Sequence, residues 1–573
     1  MRQLTHANKY AKGLLTALCL VCSLAVEAKT PDQAAIASAH PAATVAGLET
    51  LALGGNAFDA AVAVSAALAV VEPYSSGLGG GGLFLLREAG DSLDAPATYR
   101  FVDARERAPL AAHAELYQRD GKVQPALSLN GALAAAIPGL PAALVHLAER
   151  YGDLPLRASL APAIRLARDG FSIDRVYRER AKWRLSALRD DPESARLFLD
   201  QGEIPEQFSL LRQPDLARSL ERLAQQGHAG FYAGPLAEKL VQGVRAAGGI
   251  WSLKDLAQYQ VVERAPLRFS LNEGRELISA PPPSAGGVTL AQSLGMLQHL
   301  PWRQAEPVQR AHYVVEVLRR AYRDRGLLGD PDFIDNPTAH LLDADYLKTL
   351  ASQIDPQHAT PSASLAPAEG WHEGSHTTHF AVLDTAGNAV AATLSINMPF
   401  GAAFSVPGTG IALNDEMDDF AADPSGANAY GLVGSQANSI AAGKRPLSSM
   451  TPTFIESSGD FAAFGTPGGS RIPSMLLLSI LQYLDGQPVL SWVTSPRYHH
   501  QFMPDLIEHE PDTFSPAQIR ALRARGHQLK VMDRQYGNQQ VLFWNKSSAK
   551  VEAASDPRGV GSSAVTAPTP SGG

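Results

Sequence analysis

The run from Ala57 to Val71 restricts this chain more than any other stretch. It is a helix-forming sequence of Ala, Val and Leu, apolar on nearly every side. A helix without a polar stripe must be packed on several sides, which places it at the centre of a large core. Asn56 supplies an N-cap, Asp59 three positions on supplies its capping-box partner, and Glu72-Pro73 ends the run. Its length and the charge of Asp59 argue against a membrane span. A glycine-rich loop, Ser75–Gly82, and the strand-like Leu83–Leu86 follow. Such a loop can cradle phosphate, but the Lys-Ser/Thr ending is missing and a strand stands where a helix is required. Close backbone packing beside the core helix is the better account.

At 573 residues the chain can bury a core of that size, and its 45% hydrophobic and 18% charged residues are ordinary for a globular protein. A formal net charge of -8 gives no case for nucleic acid or an anionic membrane surface as the natural partner. Arg2, Lys9 and Lys12 precede the apolar run Gly13–Ala25, and Val26-Glu27-Ala28 closes it. This predicts a secretory signal, residues 1–28, cleaved after Ala28, and an exported protein: periplasmic in a Gram-negative cell, secreted otherwise. Both cysteines, Cys19 and Cys22, fall inside the signal, so the mature chain has neither disulfides nor thiol chemistry.

Beyond the loop, Tyr99–Val102 reads as a strand that Arg105 and Glu106 follow, and amphipathic helices are expected over Leu144–Arg150, Leu160–Arg168, Leu216–Gln225 and Leu236–Ala247. Ala280–Gly287 is a rigid turn leading into a helix from Val288. Residues from about Ser352 to Gly370 are rich in Ala, Pro and Ser and read as an exposed, poorly ordered linker. From Thr377 the alternation of Phe380 and Val382, the turn residues Asp384–Asn388, and then Val390, Ala392 and Leu394 predict a β-hairpin whose first strand starts at Thr377. An acidic cluster, Asn414–Phe420, lies downstream. His372-Glu373-Gly374-Ser375-His376 spells a zinc motif that needs a helix, whereas Gly374, Ser375 and the strand after them disfavour one, so no metal is expected.

Taken together, these runs resemble the γ-glutamyltransferase family from about His40 to Arg558. The resemblance rests on His40–Thr44, Gly54–Ala63, Glu72–Gly82, Pro281–Gly287, Thr377–Phe380, Asn414–Phe420, Pro446–Met450 and Pro467–Arg471, in the family's order. It implies an α+β fold: the four-layer αββα sandwich of the N-terminal-nucleophile (Ntn) hydrolases, self-cleaved into two subunits that form one domain. It implies cleavage between His376 and Thr377, giving a large subunit of residues 29–376 and a small one of 377–573, with a tail from about Gly559 read as disordered.

The implied roles make chemical sense. A threonine hydroxyl is a weak nucleophile, and its own α-amine, titrating near 7.7–8.0, can serve as the base once backbone cleavage has created it. By resemblance Thr377 is that nucleophile and Ser395, where the family commonly has threonine, supports it. The N–H groups of Gly468 and Gly469 form the oxyanion hole. Arg105 grips the substrate α-carboxylate with Ser448 and Ser449, and Glu416 and Asp419 hold the α-ammonium with Asn397 as a polar partner. Tyr430 belongs to a lid-loop segment found in bacterial glutathione-cleaving members. Met398-Pro399 departs from the more polar residues often found there. No cofactor is implied; the partners are a small γ-glutamyl substrate and an amine or peptide acceptor, with no nucleic acid and no membrane once the signal is removed. The alternatives are a cephalosporin acylase of the same family acting on glutaryl groups, and a non-catalytic exported binding protein on the same scaffold.

Overall fold

The computed structural model describes residues 29–90, 95–365, 377–422 and 435–567. Two main sheets are built before and after residue 365. In chain order, the strands before it are β1 (Ala35–Ser38), β2 (Gly81–Glu88), β3 (Thr98–Ala104), β4 (Val262–Arg264), β5 (Leu267–Ser270) and β6 (Glu276–Ser279). After it come β7 (Thr377–Leu383), β8 (Ala389–Ser395), β9 (Thr453–Glu456) and β10 (Asp460–Gly465). The last three are β11 (Gln540–Asn545), β12 (Val551–Ser555) and β13 (Ser562–Val565). One sheet runs β13-β1-β7-β8-β2-β3-β4 and the other β12-β11-β10-β9-β6-β5, with every pairing antiparallel.

Helices cover both outer faces. α1 (Pro41–Ala52), α2 (Ala57–Val71), α3 (Leu140–Arg150) and α4 (Leu156–Asp169) lie on the first sheet's side. α5 (Gly286–Leu297), α6 (Pro307–Asp324), α7 (Ile472–Leu484) and α8 (Val489–Thr494) lie on the second's. The expected central helix is α2, and all of its residues are buried. Asn56 caps it, accepting from the N–H groups of Phe58 (2.8 Å) and Asp59 (3.1 Å), while the Asp59 carboxylate accepts from Asn56 N–H. Asp384, in the turn between β7 and β8, also accepts the N–H of Ala57 at 3.0 Å. The residue that makes the hairpin turn therefore also ties the hairpin to the core helix.

Period-two alternation sorts the hairpin side chains into two cores. Phe380, Val382, Val390, Ala392 and Leu394 pack with α2, Phe84, Leu86 and Val102. Ala381, Leu383, Ala389 and Ala391 pack between the sheets with Phe454, Phe461 and Phe464. By the same alternation Thr377, His379, Thr393 and Ser395 face the space between the sheets. The glycine loop serves packing, as its sequence indicates: a Cβ on Gly79 would lie 2.0 Å from Ala412 O, and one on Gly80 2.1 Å from Ser395 O.

Two expectations need correction. The tail is not disordered from Gly559: Ser562–Val565 is an edge strand on β1, and Thr44 Oγ1 donates to Ser562 O at 3.0 Å. Nor is the described part of the linker loose. Ser362 is fully buried, its N–H donates to Asp505 at 2.7 Å, and its hydroxyl accepts from Arg319 at 2.6 Å. Alanine, proline and serine suggested mobility, but buried charges on α6 pin this segment. Among the described residues, no helix is long and apolar enough to cross a membrane.

Candidate active site

Thr377 opens β7 and stands directly opposite Ser395, the last residue of β8, which in turn pairs with Gly81. Thr377 is buried, and among the described residues its Oγ1 has no hydrogen-bond partner. Thr378 Oγ1 and Ser65 Oγ share that condition, so what distinguishes Thr377 is its place at the head of an inner strand. Ser395 Oγ accepts the N–H of Asn397 at 2.8 Å and lies beside the Glu416 carboxyl. Asn397 has φ 68, a left-handed turn conformation that asparagine tolerates, and its amide donates to Asp415 O at 3.0 Å. It thereby holds the end of β8 against the acidic loop.

That loop is a short 3-10 turn, Glu416–Asp419, with both of those residues buried. It is positioned by Asn414, whose amide donates to Gly79 O (2.7 Å) and Ala136 O (2.8 Å) while its carbonyl accepts from Glu416 N–H. Arg105 reaches the turn from the end of β3. Its Nη1 donates to Glu416 and, at 3.5 Å, faces Glu106; its Nη2 donates to Asp419 and to Leu447 O at 3.3 Å. Its Nε donates to Pro446 O at 3.2 Å. The resemblance implies separate partners for the two ends of a substrate, whereas here Arg105, Glu416 and Asp419 form one buried ion-paired cluster.

Three carboxyl groups, Glu106, Glu416 and Asp419, lie against the Arg105 guanidinium. Burial raises the Glu416 carboxyl, the nearby Glu106 adds to the shift, and Arg105 with the Ser395 hydroxyl opposes it. Glu106 is raised to about 7, again first by burial, with Arg105 opposing.

Ser448 and Ser449, both buried, follow Pro446-Leu447 on the same side of the cluster. The Pro281–Gly287 turn holds them: Ser448 N–H donates to Pro283 O and Ala285 N–H to Ser448 O, each at 2.8 Å. Gly468 (φ 146) and Gly469 (φ 56) lie past the end of β10, where the chain enters a short 3-10 turn leading into α7. Both have the positive φ that favours glycine, and a Cβ on Gly468 would meet Met475 at 2.5 Å. The first N–H groups of a helical run lack intrahelical partners, which suits them to receive an anion.

Sequence reasoning named these residues but missed how they are held: Glu106, Asn414 and Arg325, whose Nη2 donates to Ser449 Oγ at 2.7 Å, were not assigned. Glu106 and Asn414 flank assigned residues and could have been noticed; Arg325, at the end of an amphipathic helix, carries no local signal. Tyr430, His376 and the His372–His376 motif lie outside the described residues. The described His, Cys, Asp and Glu residues close enough to share a metal are His312, Glu316 and His527. Glu316 is already paired with Arg319 (3.2 Å) and Arg320 (2.7 Å), and His312 Nδ1 is 2.8 Å from His527 Nε2. The cluster is held by these ion pairs and ring contacts, and among the described residues His527 Nδ1 is left without a hydrogen-bond partner.

Two stacked antiparallel sheets between helical layers, with a threonine heading an inner strand, define an Ntn hydrolase. Within that class the chain belongs to the γ-glutamyltransferase family, the family model for gamma-glutamyltranspeptidase matching residues 43–566. It is 39% identical over 536 residues to the glutathione hydrolase proenzyme of Pseudomonas sp. (strain A14), covering 91% of each chain. The corresponding Escherichia coli (strain K12) proenzyme is 37% identical over 539 residues, covering 92% of this chain and 91% of that one. Among solved structures, the cephalosporin acylase of Bacillus halodurans superposes with TM-score 0.81 at 26% identity, covering 94% and 96% of the two chains. Helicobacter pylori gamma-glutamyltranspeptidase superposes with TM-score 0.54 at 34% identity, covering 58% of this chain and 94% of that one.

Proposed function

We propose that the protein is a γ-glutamyltransferase and glutathione hydrolase that matures by cutting its own chain before Thr377. The observation that carries this reading is the placement of Thr377. Its buried hydroxyl lies at the head of an inner strand, across from Ser395 and, through Ser395, next to the Arg105–Glu416–Asp419 cluster. After cleavage the new α-amine takes the proton from Thr377 Oγ1 as that oxygen attacks the γ-carbonyl of the donor. The tetrahedral oxyanion is received by the N–H groups of Gly468 and Gly469. The amine portion of the donor leaves with a proton, and water or an acceptor amine then releases the γ-glutamyl group from Thr377. Export through the 1–28 signal places this chemistry outside the cytoplasm.

The high superposition on a cephalosporin acylase makes glutaryl transfer the second reading. The ion-paired cluster argues for γ-glutamyl donors. A zwitterionic head group can replace the internal pairs with two of its own: ammonium to Glu416 and Asp419, carboxylate to Arg105. A glutaryl group would take Arg105 away from Glu416 and Asp419 and bring no ammonium in exchange, which disfavours it. Purified protein is expected to run as two fragments divided at Thr377, and Thr377→Ala as one inactive chain. A γ-glutamyl anilide should be turned over at least tenfold faster than its glutaryl counterpart, roughly the factor that 1.4 kcal/mol represents. An uncut yet active wild type would overturn the mechanism, and a preference for the glutaryl anilide would overturn the substrate assignment.

A further inference from the structure

Gly468 and Gly469 are the proposed oxyanion donors, yet a glycine pair does not fix its own peptide planes, because glycine adopts a wide range of φ and ψ. Other groups must aim the two N–H bonds. In a trans peptide the N–H points opposite to the carbonyl of the same planar unit, so holding the carbonyl aims the N–H. The Gly468–Gly469 peptide is held by the turn itself, where Arg471 N–H donates to Gly468 O at 3.2 Å. The Pro467–Gly468 peptide precedes the turn and is held by a side chain. Thr466, fully buried just past β10, donates its hydroxyl to Pro467 O at 3.0 Å and accepts the N–H of Asn538 at 3.2 Å. Both roles of that hydroxyl are settled, since a carbonyl oxygen only accepts and an N–H only donates. Between the two peptides, the α-carbon of Gly468 is backed by buried Met475 of α7: a Cβ there would lie 2.5 Å from Met475 Cε. Met475 Sδ lies in turn against Gly537, whose Cβ would be 2.6 Å from it. The segment that supports both contacts is itself anchored, because Arg497 donates to Tyr536 O and is ion-paired with Asp556.

We propose that Thr466 and Met475 are positioning residues for the oxyanion hole: the Thr466 hydroxyl sets the direction of the Gly468 N–H through the Pro467 carbonyl, and Met475 keeps the Gly468 α-carbon from turning. This rests on the reading of Gly468 and Gly469 as oxyanion donors to an adduct on Thr377. A donor that is aimed at the oxyanion matters most once charge has developed on that oxygen. Loss of the aim therefore falls on kcat and leaves KM in place.

The test compares Thr466→Val, Thr466→Ser, Met475→Ala and Met475→Leu in the self-cleaved protein, with a γ-glutamyl anilide as donor and two inhibitors. One inhibitor is glutamate, a ground-state ligand. The other is its analogue with a boronic acid in place of the γ-carboxyl group, whose boron bonds to Thr377 Oγ1 as the hydroxyl proton passes to the α-amine, giving a tetrahedral adduct. Thr466→Val should lower kcat about 10- to 100-fold with KM nearly unchanged, short of the roughly 10²–10³ lost when an oxyanion donor is removed outright. The Ki of the boronic acid should rise by a similar factor while that of glutamate stays in place. Thr466→Ser keeps the hydroxyl and loses the methyl group that stiffens χ1, and should stay within about threefold of wild type. Met475→Ala should lower kcat about tenfold with the same pattern of Ki values. Met475→Leu restores the volume and should recover most of that loss. Should Thr466→Val not accumulate as folded protein, the Met475 pair decides on the same criteria. Thr466→Ser as impaired as Thr466→Val, Met475→Leu as impaired as Met475→Ala, or equal rises in the two Ki values would overturn the proposal. So would an unchanged kcat in either Thr466→Val or Met475→Ala. If the boronic acid binds the wild type no more tightly than glutamate does, the reading of Thr377 and its oxyanion hole falls first, and this one with it.

Discussion

A carboxyl group with no route to water gives up its proton late, and Glu416 is raised to about 8, first by burial and then by its neighbour Glu106. The folded protein therefore binds more protons than the unfolded chain between the ordinary carboxyl pKa and that value. Linkage then requires stability to fall as pH rises across the window: the contribution of Glu416 is fully present below about pH 4.5 and lost by about pH 8. Substrate binding runs the other way, because an ionised carboxylate receives an ammonium far more favourably than the neutral acid does. Denaturation midpoints measured at several pH values should fall more steeply from about pH 5 to about pH 8 in the wild type than in Glu416→Gln. Over the upper part of that range KM for a γ-glutamyl anilide should decrease in the wild type, and Glu416→Gln should show a high KM with no such decrease. A variant that kept the wild-type slope in both measurements would place the shifted proton elsewhere. The α-amine of a cleaved Thr377 titrates in the same region, so kcat will also rise with pH; the comparison of KM values separates the two.

Among the elements, legibility followed how much of each was dictated locally. The hairpin of β7 and β8 was readable to its first residue, because alternation, a five-residue turn and β-branched residues all agree there. The core helix was readable because its capping residues and its lack of a polar face leave one solution. The acidic turn was readable as a cluster but not as an ion pair with Arg105, since their partnership spans more than three hundred positions. The edge strand β13 was misread for a related reason. Ser562-Ser563-Ala564-Val565 has almost no apolar pattern, and its half-exposed side chains contribute little; it is a strand because β1 offers it a ladder. The strand still seals the edge of β1, and Thr566 exchanges bonds with Ala34, donating its N–H to Ala34 O at 2.8 Å and accepting Ala34 N–H at Oγ1 at 3.0 Å. Removing residues 562–573 should therefore lower the melting temperature by several degrees and increase aggregation through the uncovered edge, while kcat stays near wild type. Unchanged melting would mean that β13 contributes no stability.

Considered whole, the molecule is interleaved across the proposed cleavage point. In the first sheet β13 lies beside β1, β7 and β8 lie between β1 and β2, and β3 and β4 complete the edge; residues from before and after Thr377 thus alternate three times. In the second sheet β9 pairs with β6, which adds a further junction. Each junction is a hydrogen-bonded ladder with its side chains in one of the two cores, so cutting one peptide bond removes connectivity without removing any packed surface. Chain separation would require β7 and β8 to be withdrawn from the centre of a sheet, exposing Phe380, Val382, Leu383, Val390 and Leu394 together. Complete burial of one such side chain is worth about 1.5–3 kcal/mol, so the five alone resist separation strongly. Both cysteines, Cys19 and Cys22, lie ahead of the first sheet strand, so no disulfide joins the two sides of the proposed cleavage point. The two fragments should consequently elute together in gel filtration under reducing, non-denaturing conditions and at high salt, and separate only in denaturant. They should also unfold in a single transition, because neither fragment keeps a complete sheet of its own. Elution as two species, or a first transition that releases one folded fragment, would show that the interleaved sheets do not hold the cleaved protein together.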